Sequence, residues 1–207
     1  HRCGAPGQGA AAAQLRRAAQ RGGAQLQASR APAGLTAEQD RLVTRLGALQ
    51  AADNWLGVVA LEQEALALAR ELRGADPGLA GNIHSILGLG FESVGQYARA
   101  RELHEQHRAM AEALGDRAGV ARACGNLGNC YYSTGDYGRA REMHEQCRAL
   151  CEALRDRAGV AAACANLGLC YHRTGDYGRA RELHEQHRAT CEALGDRAGV
   201  ARACCNL

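Results

Sequence analysis

The sequence contains no lysine, so all 25 of its basic residues are arginine. It has 3 prolines, 1 tryptophan and 1 phenylalanine in 207 residues, and aromatic residues make up only 4%. Few prolines leave long helices uninterrupted. Strand-forming Val, Ile, Phe and Trp are scarce, while Ala, Leu, Arg and Glu abound, which predicts an all-α fold. No apolar run approaches the roughly 18 residues that a membrane span needs. No Cys-x-x-Cys pair is present, and Gly88-Leu89-Gly90 lacks the third glycine and the preceding strand of a nucleotide-binding turn. No other enzyme motif stands out. Neither an enzyme nor a cofactor or metal is therefore expected.

Acidic residues are missing from one end of the chain. Residues 1–37 carry five arginines and no acid, whereas 38–207 are close to neutral. A neutral body offers no electrostatic footprint for nucleic acid. The first 37 residues are Ala-, Gly-, Gln- and Arg-rich and read as a flexible tail, with an organellar transit peptide as the less favoured alternative. The chain begins at His1 and not at Met, without an apolar signal core, so it reads as part of a longer gene product.

What the sequence does have is repetition. Gly95-Gln96-Tyr97 recurs as Gly135-Asp136-Tyr137 and Gly175-Asp176-Tyr177, and Asp116-Arg117-Ala118-Gly119-Val120 recurs at 156–160 and 196–200. The period is 40 residues, and 31 of 40 positions match between 116–155 and 156–195. Units are expected at about 41–75, 76–115, 116–155 and 156–195, with a partial one at 196–207. In the eroded first copy Ala60 takes the place of Ala100, Ala140 and Ala180.

Each unit reads as two helices. Val120, Cys124, Leu127 and Tyr131 form one face of the first, about 118–133. Gly135 is a left-handed stop and Asp136 caps the second helix. Ala140, Met143, Cys147, Cys151 and Leu154 are expected on the inner side of that helix. Gly128 is expected to admit a close approach at Ala140. Such pairs bury both faces only by stacking, so residues 38–207 are expected to form an α-solenoid.

Asn126-Leu127-Gly128-x-x-Tyr131, Gly135-x-Tyr137 and Ala140 resemble the tetratricopeptide repeat pattern. Arg122-Ala123-Cys124-Gly125-Asn126-Leu127-Gly128-Asn129, followed by Gly135-Asp136-Tyr137 and His144, is similar to the Pins/LGN subgroup. The resemblance implies a right-handed superhelix whose first helices line a concave groove, and a scaffold or adaptor function. It also implies Asn and Arg residues that hold acidic, extended partner segments.

The two best copies differ at nine positions, and five of them, 122, 125, 129, 132 and 133, fall on the first-helix groove stripe, where chance would put about one. On a helix these positions share one stripe. The expected peptide-binding residues are therefore Arg122, Gly125, Asn126, Asn129, Tyr132 and Ser133, with Asn166, Leu169, His172 and Arg173 in the next copy and Arg202 and Asn206 in the last. Asn amides pair with a peptide backbone in both senses, and arginines fork onto carboxylates. The alternatives are drift on an exposed face, an Asn that only ties helix to helix, and a repeat arm serving a signalling or catalytic domain elsewhere.

Ten cysteines without an obvious pairing read as small buried thiols in a reducing, cytoplasmic setting, with Cys124, Cys164 and Cys204 at one core position and Cys130 and Cys170 at another. His144, Cys147 and Cys151 share a stripe that could gather zinc, but it faces the expected helix contact. A capped chain is expected to be monomeric. The last helix, with Val200, Cys204 and Leu207, is expected to be prone to aggregation without a cover.

Overall fold

The computed structural model describes residues 35–206, and the expectations for the Arg-rich tail and for Leu207 lie outside them. Ten helices and no strand occur among the described residues. None of these helices is long and apolar enough to cross a membrane. The chain divides into two compact units, one ending at Gln96 and one beginning at Tyr97.

In the first unit, α1 (Ala37–Ala51), α2 (Trp55–Ala60), α3 (Glu62–Leu72) and α4 (Pro77–Ser93) follow one another. A capping box starts α1: the Thr36 hydroxyl accepts from the Gln39 N–H and the Gln39 side chain accepts from the Thr36 N–H. Leu61 ends α2 and starts α3, so the second helix of this eroded copy is broken in two. The expected register fails here. Asn54 caps α2 two residues before the corresponding repeat position, and Ala60 is exposed while Ala65 is fully buried. Asp76 does keep its capping role, accepting from the Leu79 N–H at 2.9 Å.

The second unit holds α5 (Tyr97–Leu114), α6 (Arg117–Ser133), α7 (Tyr137–Ala153), α8 (Arg157–Arg173), α9 (Tyr177–Leu194) and α10 (Arg197–Asn206). Each helix packs on the next in sequence, and α6 also touches α8. The stop-and-start chemistry is uniform. Asp116, Asp156 and Asp196 accept from the N–H of Gly119, Gly159 and Gly199 at 2.9 Å, and Asp136 and Asp176 from Arg139 and Arg179 at 3.1 Å. Gly95, Gly115, Gly135, Gly175 and Gly195 all take positive φ.

Three inner-face expectations need correction. A Cβ on Gly128 would lie 2.5 Å from the His144 ring, and one on Gly168 would lie 2.5 Å from His184. The glycine thus makes room for an imidazole one turn beyond Ala140. Leu154 is 41% exposed, as are Leu114 and Leu194 to similar degrees, because the side chain at the helix end leaves the packed face as the backbone turns away. Cys204 is exposed, whereas Cys124 and Cys164 are buried. Those two thiols lie 3.8 Å from Gln146 and Gln186 of their unit's second helix, a neighbour that α10 does not have among the described residues.

His144 is 1% exposed and neither ring nitrogen has a hydrogen-bond partner. Burial lowers its pKa from 6.5 to about 4. Below about pH 6.5 the unfolded chain takes up a proton that the native imidazole refuses, so this part of the stability is present above 6.5 and lost as pH falls towards 4. Between about pH 7.5 and 5 the loss at this histidine is on the order of 2 kcal/mol. The urea midpoint should fall over that range, and should fall less in His144→Leu. An equal fall in both proteins would show that His144 is not the titrating group.

The α7–α8 turn carries a second testable strain. Arg155 has φ 57°, matching Gly115 at 67° and Gly195 at 69°. The surrounding backbone is the same: the Asp156 N–H donates to the Cys151 carbonyl at 2.8 Å, as Asp116 does to Ala111 and Asp196 to Cys191 at 2.9 Å. A Cβ in this conformation costs roughly 1 kcal/mol, and the greater freedom of unfolded glycine offsets part of that. Arg155→Gly should stabilise the protein by a few tenths to about 1 kcal/mol, read as a higher urea midpoint at unchanged slope. A lower midpoint would refute the strain.

Candidate peptide-binding surface

The first helices α6, α8 and α10 carry the expected binding residues, and the structure sorts them. Asn129 is 3% exposed, and its side-chain oxygen accepts from the Asn166 amide at 3.3 Å across the α6–α8 contact. Tyr132 is also buried on α6, and its hydroxyl accepts from Arg173 Nε of α8 at 3.3 Å. The Arg173 guanidinium lies 6.0 Å from the centre of the same ring. Four of the residues therefore join two neighbouring first helices. Asn126, Leu169 and Asn206 are half-buried, and Ser133, His172 and Arg173 are exposed.

Two arginines are held elsewhere. Arg122 pairs with Asp116 at 3.5 Å and Arg202 with Asp196 at 3.4 Å, each the capping aspartate of its own helix. Position 162 is alanine, so α8 has no such pair. Gly125 is turned towards the partner helix: a Cβ there would lie 3.6 Å from Cys147 Sγ on α7, and the corresponding Ala165 is buried.

Aromatic contacts that the sequence did not disclose frame one end of this surface. Tyr132 meets Tyr137 edge-on at 5.4 Å, and His172 meets Tyr177 in the same way at 5.2 Å. Arg101 lies over Tyr131 and Arg141 over Tyr171, at 5.3 and 5.0 Å. The signal was the recurrence of an aromatic residue five positions before each Gly-Asp-Tyr tyrosine, at 132 and 172, although the residue itself changes. Burial raises the Tyr132 pKa, which keeps the phenol neutral beside the arginine.

The stripe of His144, Cys147 and Cys151 is taken up in packing. His144 faces Gly128 and Cys147 faces Gly125 on α6, while Cys151 Sγ crowds Gly159 on α8. All nine cysteines among the described residues are free thiols. Burial pushes the Cys170 thiol up to about 12 and raises Cys124 and Cys164, so none of these three is an activated nucleophile.

The tetratricopeptide repeat family model matches residues 79–153 and again 120–193, together more than half of the chain. The chain is a tetratricopeptide repeat protein. The match is to the repeat itself; the Pins/LGN subgroup rests on the sequence resemblance alone. The crystal structure of BtubC (BKLC) from P. vanneervenii is similar with a TM-score of 0.70 and 22% identity, covering 95% of this chain and 81% of that one. At that identity the likeness concerns the fold. No curated protein matches the sequence. Tetratricopeptide repeats generally mediate protein–protein interaction, which gives this protein a protein partner in broad terms.

The α6–α8 amide contact is open to direct test. Removing the Asn166 amide leaves a buried oxygen on Asn129 without its donor, at a cost of about 1–2 kcal/mol. Urea unfolding of Asn129→Ala, Asn166→Ala and the double variant should give a coupling of about 0.5–1.5 kcal/mol. Strict additivity would mean that the two amides do not interact.

Proposed function

We propose that this tetratricopeptide repeat protein is a non-catalytic adaptor that holds an extended, acidic partner segment on the stripe formed by α6, α8 and α10. One observation carries the reading. The copies of the repeat are almost identical, yet five of their nine differences lie on this stripe, while Arg139, Glu142 and Glu145 of the second helix stay fixed and exposed. At the exposed end of the stripe, where Tyr132 and Ser133 become His172 and Arg173, such divergence is what a bound, non-repeating partner would impose. Asn126 and Arg173 stand on the stripe with side-chain donors available to an incoming chain. The free thiols fit a reducing compartment.

The test is a pull-down with the whole chain, followed by peptide mapping of what is retained. Binding of the mapped segment should weaken at least about fivefold in Asn126→Ala, the size of one lost hydrogen bond. It should be unchanged in Glu142→Ala, on the second helix. Loss of binding in Glu142→Ala with none in Asn126→Ala would move the site off the first helices.

A further inference from the structure

We infer that the carboxylate recognition on this stripe is concentrated in one arginine, Arg173, and that the preferred segment carries a single acid two residues from an aliphatic side chain. The inference deepens the groove reading and rests on it. Arg122 and Arg202 already have carboxylate partners in Asp116 and Asp196. Arg173 has none. Its contact is with Tyr132, through Nε and over the ring. That contact uses the inner nitrogen and leaves the two terminal nitrogens for another acceptor on an exposed residue.

Anchoring matters because an arginine side chain carries about 2 kcal/mol of rotamer entropy. Tyr132 is buried and is itself braced edge-on by Tyr137. Arg173 is therefore held before a ligand arrives, and a carboxylate that meets its free fork orders less side chain than usual. Tyr132 is a positioning residue in this arrangement. The neighbouring His172–Tyr177 pair forms an aromatic border beside the arginine on the same exposed end of α8.

The spacing follows from helix geometry. Leu169 lies four residues before Arg173, about 6 Å along the axis and on the same face. It is half-buried, so an apolar surface remains for contact. An extended chain puts side chains of one face two residues apart, at about 6.6 Å. An aliphatic side chain against Leu169 and a carboxylate on Arg173 thus match positions two apart in the partner. The Asn166 amide, already bonded to Asn129 at 3.3 Å, closes the other end of the stripe. The ligand is a short segment with one acid in register, not a run of acids.

The test uses a phage-displayed library of random decapeptides panned on the full chain, with the best peptide synthesised in Glu and Gln forms. Wild-type protein should enrich an acid two residues from Leu, Ile or Val, in either chain direction, and bind the Glu form about tenfold more tightly than the Gln form. Arg173→Gln should bind both forms alike. Arg122→Gln should keep the preference, and Tyr132→Phe, which keeps the ring but loses the hydroxyl, should reduce it to a few-fold. Thermal melts confirm that each variant is folded. A Glu preference undiminished in Arg173→Gln overturns the inference while leaving peptide binding intact. So does enrichment without any acid in register. Failure to enrich any peptide, or enriched peptides that bind Asn126→Ala and Asn166→Ala as well as wild type, overturns the groove reading together with the inference.

Discussion

Close contact between helices at glycine is the constraint on which the second unit depends. The first helices α6 and α8 each give up a side chain at two places, and α10 at one. At Gly128 and Gly168 a Cβ would collide with the imidazole of His144 or His184. At Gly119, Gly159 and Gly199 it would press on Ala111, Cys151 or Cys191 of the preceding second helix. The first contact closes the helix pair within a unit, and the second closes one unit on the next. Alanine in place of a mid-helix glycine is worth about 1 kcal/mol in helix propensity. Retaining glycine at 119, 159 and 199 and at 128 and 168 is intelligible only if the approach it allows stabilises more than that, through the dispersion contacts of two helices packed without a gap.

Small residues then make the rest of the composition intelligible. Helices that approach closely leave little room between them for large aromatic residues, so the interior is built mainly of Ala, Cys, Leu and the imidazoles of His144 and His184, with Ala100, Ala140, Cys130 and Cys170 essentially inaccessible. The tyrosines are displaced to the ends of the first helices, where Arg101 and Arg141 cover Tyr131 and Tyr171. A cation over an aromatic face at a partly exposed site is worth about 0.5–1 kcal/mol. The arginine-only composition suits this arrangement, because a planar guanidinium lies flat on a ring and forks onto two acceptors, whereas an ammonium is a compact, strongly hydrated point charge.

Helix ends were the most legible part of the sequence, because their chemistry is local. At Gly115, Gly135, Gly175 and Gly195 a positive φ followed by a capping aspartate sets the boundary without reference to any other helix. The starts of α6 and α7 therefore agree with the sequence reading to within one residue. Side-chain destinations were less legible, because they depend on what lies across the interface. Periodicity places Leu154 on the inner face, but it cannot show that the backbone turns at 155 and carries that side chain outwards. The same limit applies to Gly128, whose neighbour proved to be His144 and not Ala140. In the first copy the register itself was lost, since a cap moved to Asn54 shifts every residue of α2 relative to the repeat.

The candidate surface shows the same division. Comparing copies located the stripe, because divergence among near-identical units is a property of the sequence. It could not apportion roles within the stripe. Arg122 and Arg173 look equivalent as residue types, yet one reaches back to the aspartate that caps its own helix and the other reaches across to a tyrosine of the neighbouring copy. The difference arises from position along the helix. Arg122 is six residues after Asp116, near enough to the N-terminus for a long side chain to return to the cap. Arg173 is the last residue of α8, out of reach of Asp156 and level with the end of α6. A charge near a helix start is drawn into the cap, and one at the helix end is left to the neighbour or to a ligand. Substitution of Arg122 by Ala162 in the next copy therefore costs that helix a cap contact without altering the carboxylate-free arginine at its far end. The two ends of one stripe can thus diverge independently, the first end adjusting helix stability and the second adjusting what the surface presents.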